Sequence, residues 1–176
     1  MNFKKLFQIN SFSSDPDARM LAAEILQQQY NCEINAVEID ETVLFAHNGK
    51  GCTIAAAKIS AGTVIFQNVT IGANQTYNRS TKRWENLGNP VIGKNVIIAD
   101  GAKIVGPIII GDNSIIGTGA IITKDVPESS IAFGVNQIKP ANPGMAPIYY
   151  SDMPTREDQI TAAEDLITRY HTQATQ

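Results

Sequence analysis

From residue 92 the chain places an isoleucine at every sixth position: Ile92, Ile98, Ile104, Ile110, Ile116 and Ile122. A second register, four residues after each, holds Val96, Ala102, Ile108, Ser114, Ala120 and Val126, nearly all small or aliphatic. The same period runs upstream through Ile59, Ile65 and Ile71, followed by Thr63, Val69 and Gln75. A period of six matches neither the 3.6-residue repeat of a helix nor the two-residue alternation of a strand. It predicts a solenoid whose coil is a triangular prism of three short strands and three turns, with every sixth side chain on the axis. Stacked coils then form three parallel sheets, and the small residues after the isoleucines (Gly93, Ala99, Gly111, Gly117) let the backbone turn each corner. An ordinary sandwich, turning every 8–12 residues or so, would not hold one aliphatic register through six cycles.

The pattern breaks in three places. Between Ile71 and Ile92 the separation is not a multiple of six, and residues 73–90 are polar with Gly88 and Pro90 at their end, so an extruded loop is expected. It carries Tyr77, Lys82, Arg83 and the single tryptophan, Trp84. Before the solenoid, Asp15-Pro16 followed by Leu21, Ile25 and Leu26 reads as one capped helix near 16–30. After it, Thr155-Arg-Glu-Asp158 opens a second helix with Ile160, Ala163, Ile167 and Tyr170 on one stripe. The expected division is an N-terminal helical segment at 1–32, a repeat domain at 33–140 and a C-terminal extension with a helix at 141–176. The terminal helices are suited to covering an open end or a neighbouring subunit.

Composition narrows the function. With 14 Lys+Arg against 17 Asp+Glu, the mildly acidic chain is not built for the nucleic-acid backbone. Its apolar runs are too short to span a bilayer, its start lacks a signal-peptide core, and two cysteines make no disulfide framework, so a cytoplasmic protein is expected. Chemistry must come from residues that interrupt the repeat. His47, in Leu44-Phe-Ala-His-Asn-Gly-Lys-Gly51, stands where the register slips and glycines cluster, and a histidine there can act as a general base near neutral pH. Glu33, roughly one coil earlier, is the best-placed carboxylate to hold its tautomer, with Asp40 as the competitor. Some solenoids of this kind resemble gamma-class carbonic anhydrases, whose zinc takes three histidines; this chain has only His47 and the tail residue His171, so no metal is expected.

These residues resemble the serine acetyltransferases and the wider set of hexapeptide-repeat acyltransferases around them, over about residues 33–140. The resemblance rests on Ile116-Gly-Thr-Gly-Ala-Ile-Ile-Thr-Lys-Asp-Val-Pro127, on Ile65-Phe-Gln-Asn-Val-Thr-Ile-Gly72, and on the offset between His47 and Phe66-Gln67. It implies a mainly β protein, a left-handed parallel β-helix with an extruded loop and short terminal helices. It also implies an acetyl-CoA-dependent O-acetyltransferase in which His47 takes the proton of an acceptor hydroxyl, which attacks the thioester directly. Glu33 falls where the family has an orienting aspartate, with one residue fewer before the histidine. The acetyl-CoA positions fall on Asp100 and Thr118, on consecutive coils, with Thr123 and Lys124 toward the pantetheine and phosphate end and Lys139 adding charge.

Three departures bear on substrate and assembly. Gly88-Asn89-Pro90 replaces the Arg-His-Pro that helps hold the amino acid, Ala46 replaces an aspartate before the histidine, and the long helical region that builds hexamers is reduced to one helix. A homotrimer with sites in the grooves between subunits is expected. The acceptor is a small molecule, serine or a sugar or related metabolite, with Trp84, Arg83 and Asn89 as its binding residues. The alternatives are N-acylation of an amino sugar and a catalytically silent scaffold.

Overall fold

The computed structural model describes residues 1–144 and 156–174. Three parallel sheets wrap one axis, as the six-residue period predicts. The first takes Glu33–Ile34, Thr53–Ile54, Thr70–Gly72, Lys103–Val105 and Ile121–Ile122 from successive coils. The second takes Glu38–Ile39, Lys58–Ile59, Val91–Ile92 and Ile109–Ile110. The third takes Leu44–Phe45, Val64–Ile65, Ile97–Ile98, Ile115–Ile116 and Ser130–Phe133, and ends on Gln137–Pro140, which folds back antiparallel. Registered partners Ile92 and Ile110, Ile98 and Ile116, and Ile104 and Ile122 stand 18 residues apart, one coil of three repeats.

All six isoleucines of the run are fully buried, with Val96, Ala102 and Ala120 filling the second register. Its two buried hydroxyls are satisfied by the next coil: Thr63 Oγ1 donates to Gly93 O (3.0 Å) and Ser114 Oγ to Pro127 O (2.9 Å). Gln75 leaves the register; it is exposed and opens the extruded segment.

The irregular coils show how the prism absorbs insertions. Phe45 and Ile54, adjacent axial residues, are nine positions apart where the repeat needs six, and the surplus forms the turn Ala46–Gly49 and the short link from it to Thr53. Ile34 to Ile39 is one residue short, and so is Ile54 to Ile59. Because the deletion repeats at the same corner, Ile34 still pairs with Ile54 and Ile39 with Ile59. The residue missing between Glu33 and His47 is therefore lost at a corner and leaves the pairing of the strands intact.

The N-terminal end differs from expectation by a second helix. Besides α2 (Pro16–Tyr30), capped by Asp15 and ended by Asn31 in the left-handed region, a helix α1 runs over Phe3–Phe12. Its Phe3, Leu6 and Phe7 are buried, and the rings of Phe3 and Phe7 lie 5.6 and 5.3 Å from that of Phe45. The pair α1 and α2 closes the open end of the prism with aromatic surface instead of leaving axial Ile34 and Phe45 to water. The signal was present in the i, i+3, i+4 spacing of Phe3, Leu6 and Phe7, but ten residues without an acidic first turn make a weak helix in isolation. At the other terminus α3 spans Arg156–Ala174 with Leu166, Ile167 and Tyr170 exposed; Thr155, the cap expected for it, lies outside the described residues. Among the described residues no helix is long and apolar enough to cross a membrane.

Cys32 and Cys52 are free thiols buried in adjacent coils. Burial, reinforced by Cys52 and Glu33, pushes the Cys32 thiol up to about 12, and burial raises Cys52 as well. An uncharged thiol reagent at neutral pH is expected to label neither in the native protein and both after unfolding; rapid labelling of native protein would contradict this burial. Since folding raises both pKa values, their contribution is complete below the unfolded value, 9.0. Stability is lost as pH rises above it, where the unfolded chain sheds thiol protons that the fold retains.

Candidate active site

Where the third sheet hands the chain back to the first, the corners of consecutive coils stack into one edge of the prism. Asn68 N donates to Lys50 O (2.8 Å), Gly101 N to Gln67 O (3.1 Å) and Gly119 N to Asp100 O (2.8 Å). The edge therefore runs from the His47 turn through Gln67 and Asp100 to Thr118. With neighbouring strands about 4.8 Å apart, its four corners mark a track of about 14 Å.

His47 lies at the head of this track in the left-handed region (φ 53°, ψ 30°), followed by Asn48 in the same conformation (φ 57°, ψ 35°). Two such residues in succession throw the turn outward and leave the imidazole exposed, its ring 6.1 Å from that of Phe66 on the next coil. Gly49 seats the turn: at φ +59°, a Cβ there would lie 2.9 Å from Phe3 Cζ and 3.1 Å from Cys32 Sγ. Gly51 (φ +72°) leaves the space that the Asn68 side-chain oxygen occupies, and Asn68 Nδ2 donates to Asp100 Oδ1 at 3.1 Å. Lys103 Nζ donates to Asn68 O (2.8 Å), so Asn68 is held by a lysine while it holds Asp100. Neither Asn68 nor Lys103 was singled out from sequence; asparagine at a corner needing positive φ was the available signal.

The other candidates fall in different places. Glu33 opens the first strand of the first sheet, and its carboxylate accepts from Gln27 Nε2 of α2 (3.1 Å); no hydrogen bond or ion pair joins it to His47 among the described residues. Thr118 is exposed at the far end of the track. Thr123 follows the last strand of the first sheet; its N–H donates to Asn136 Oδ1 and its hydroxyl oxygen accepts from Asn136 Nδ2 (2.8 Å each). Lys124 is exposed beside it. Lys139 sits on the antiparallel end strand with its ammonium 5.4 Å from the Phe133 ring centre. Among the described residues, no three of His, Cys, Asp and Glu gather in a group able to hold a metal.

The extruded segment is a β-hairpin, Gln75–Asn78 against Arg83–Asn86, leaving the prism at the edge between the first and second sheets. The first sheet thus separates it from His47 within one chain. Tyr77 pairs with Trp84 across the strands, rings 5.6 Å apart and edge to face, and Trp84 is 71% exposed. Arg83 pairs with Asn78 and so projects from the opposite face, on which Glu85 accepts from Asn78 Nδ2 (2.7 Å). Ring-stacking and anion-binding groups are therefore divided between two faces. Asn89 anchors the base: its Nδ2 donates to Ala55 O at 2.8 Å.

Fold and edge together define a hexapeptide-repeat β-helix. Residues 89–124 match the family "Bacterial transferase hexapeptide (six repeats)". A serine acetyltransferase of Synechococcus elongatus is 32% identical over 133 residues, 69% of this chain and 52% of its own length. A soybean serine acetyltransferase structure complexed with serine shares the fold at a TM-score of 0.56 and 25% identity, covering 78% of this chain and 53% of that one. A serine acetyltransferase in complex with CoA has the same fold at a TM-score of 0.60 and 24% identity, covering 78% and 55%. The chain is similar to serine acetyltransferases over these residues and has the left-handed parallel β-helix fold built from hexapeptide repeats. It spans about half the length of the curated relatives it matches.

Proposed function

We propose that this chain catalyses acetyl-CoA-dependent O-acetylation of a small hydroxylated acceptor, with His47 as general base. The observation that carries the reading is the edge itself: a histidine thrown outward at one end of a straight track on which Asp100 and Thr118 follow on consecutive coils. The acceptor oxygen attacks the thioester carbonyl as His47 takes its proton. The tetrahedral intermediate collapses with loss of the CoA thiolate, which recovers that proton from the imidazolium. No acyl-enzyme is required. Acetyl-CoA lies along the edge with its thioester at His47 and its nucleotide toward Thr118, and beyond that end the nucleotide is flanked by Thr123 and Lys124, past the last strand of the first sheet, and by Lys139 on the third sheet. Glu33 orients the imidazole once its side chain exchanges Gln27 for His47.

The outward rows of the prism favour a trimer. On the third sheet, registered neighbours Leu44, Val64, Ile97, Ile115 and Ile131 form an apolar row through five coils. The first sheet presents Glu33, Thr53, Thr70, Lys103 and Ile121 instead. Packing the apolar rows about a threefold axis buries them and sets each His47 edge against a neighbour, whose hairpin supplies the acceptor end that its own chain holds one face away.

The acceptor is serine or a sugar-like metabolite, and the exposed Tyr77–Trp84 face favours a ring. Release of CoA thiol, measured against serine, homoserine, sugars and amino sugars, tests the reading; a sugar is expected to match or exceed serine. Absence of release with every acceptor would defeat it, and release with amino sugars alone would replace it with N-acylation. Trp84→Ala is expected to raise the acceptor KM with little change in the acetyl-CoA KM, by about tenfold for one lost stacking contact. Efficient serine turnover untouched by this change would assign the acceptor as serine and leave the hairpin face without a role.

A further inference from the structure

We propose that Gln67 binds the pantetheine arm, its side-chain oxygen accepting the amide N–H nearest the sulfur of acetyl-CoA; this rests on the acetyl-CoA reading above. Among the described residues that lack exposed side chains, only two buried side-chain polar atoms have no hydrogen-bond partner, Ser11 Oγ in α1 and Gln67 Oε1. Gln67 is on the track. Its backbone is held from both sides, since its carbonyl accepts from Gly101 N and the next residue, Asn68, donates to Lys50 O. Its neighbour Phe66 lies against the His47 ring and accepts from Cys52 Sγ at 3.2 Å. The main chain is thus fixed while one polar atom of the side chain is left without a donor, a costly arrangement unless something supplies one.

Placement identifies the donor. Gln67 stands one coil, about 4.8 Å, beyond the His47 turn. With the thioester at His47, the first amide of the pantetheine arm, two methylenes from sulfur, falls at the next coil. That amide offers one uncharged N–H, and a glutamine oxygen can accept it. The terminal torsion of glutamine is broad, so the amide turns from its buried position toward the arm at little cost.

The test compares wild type with Gln67→Met, which keeps length and loses the acceptor, and Gln67→Glu, which keeps an acceptor. Binding of CoA and of adenosine 3′,5′-bisphosphate, which lacks the arm, is measured by calorimetry on each full-length protein. Gln67→Met is expected to weaken CoA about tenfold and to leave the bisphosphate and the acceptor KM unchanged, while Gln67→Glu recovers most of the CoA affinity. Ligand-free Gln67→Met is expected to melt about 2–4 °C higher, because an unpaired buried oxygen is gone. Equal CoA affinity in Gln67→Met and wild type would overturn the proposal, as would parallel loss of both ligands. A changed sedimentation coefficient in Gln67→Met would also overturn it, by giving the missing donor to a neighbouring copy. Wild type that binds no CoA would defeat the functional reading as well, an outcome distinct from wild type that binds it and a variant that binds it equally.

Discussion

Replacing His47 by alanine or by asparagine is expected to lower turnover by about 10²–10⁴ while CoA affinity stays near that of the parent. The two variants separate chemistry from backbone. His47 occupies the left-handed region at φ 53°, which asparagine adopts readily and alanine does not. If the imidazole serves as base, both variants lose activity alike, because neither can take the proton. If His47 only shapes the turn, asparagine retains activity and alanine does not. Steady-state kinetics with a saturating acceptor, together with CoA binding by calorimetry, distinguishes these outcomes. Full activity in both variants would remove His47 from the reaction.

Ile97→Asp or Ile115→Asp is expected to convert the assembly to monomers and abolish transferase activity with it. Both residues lie on the outward row of the third sheet, next to axial residues but not among them, since Ile98 and Ile116 carry the core contacts. In an isolated prism both positions are part-exposed, so a carboxylate at either still reaches water and costs about 1 kcal/mol. In a trimer it is buried without a partner, at about 3–5 kcal/mol for each copy, enough to dissociate the assembly. Sedimentation velocity and thermal melting separate the two effects. A trimeric Ile97→Asp protein would show that another face mediates assembly. Monomers with undiminished turnover would show that each chain holds a complete site.

The two experiments also divide the site along its physical seam. His47, Gln67, Asp100 and Thr118 belong to one edge of one chain and depend only on coil stacking. The hairpin belongs to another edge, so the proposed function requires a second copy to bring it to the acceptor. Loss of activity in monomers with CoA binding preserved would place the acceptor end between chains and the CoA end within one.

The solenoid, its three-sheet cross-section and its buried isoleucines were legible in the sequence because a six-residue period has few physical realisations, and each inward position tolerates only small or aliphatic side chains. The extruded segment and His47 were legible for the complementary reason, as departures from that period. The linear order did not reveal which interruptions share an edge. Corners stack with every coil, so residues 20 or 33 positions apart, His47 and Gln67 or Gln67 and Asp100, come onto adjacent coils, while Arg83 and Trp84, adjacent in the chain, project from opposite faces of a hairpin. Individual side-chain partners were likewise decided by packing. Asn89 was free in the sequence to meet a substrate and is tied to Ala55 O in the fold; Glu33 meets Gln27 of a helix; Thr123 is taken by Asn136. Helix α1 shows the same division, since ten residues cannot hold a helix on local propensity, and only the exposed aromatic end of the prism makes its formation favourable. Periodicity is a local property that the chain carries in its order, whereas the identity of a neighbour across coils depends on insertions summed over every residue between, which only the closed three-dimensional register resolves.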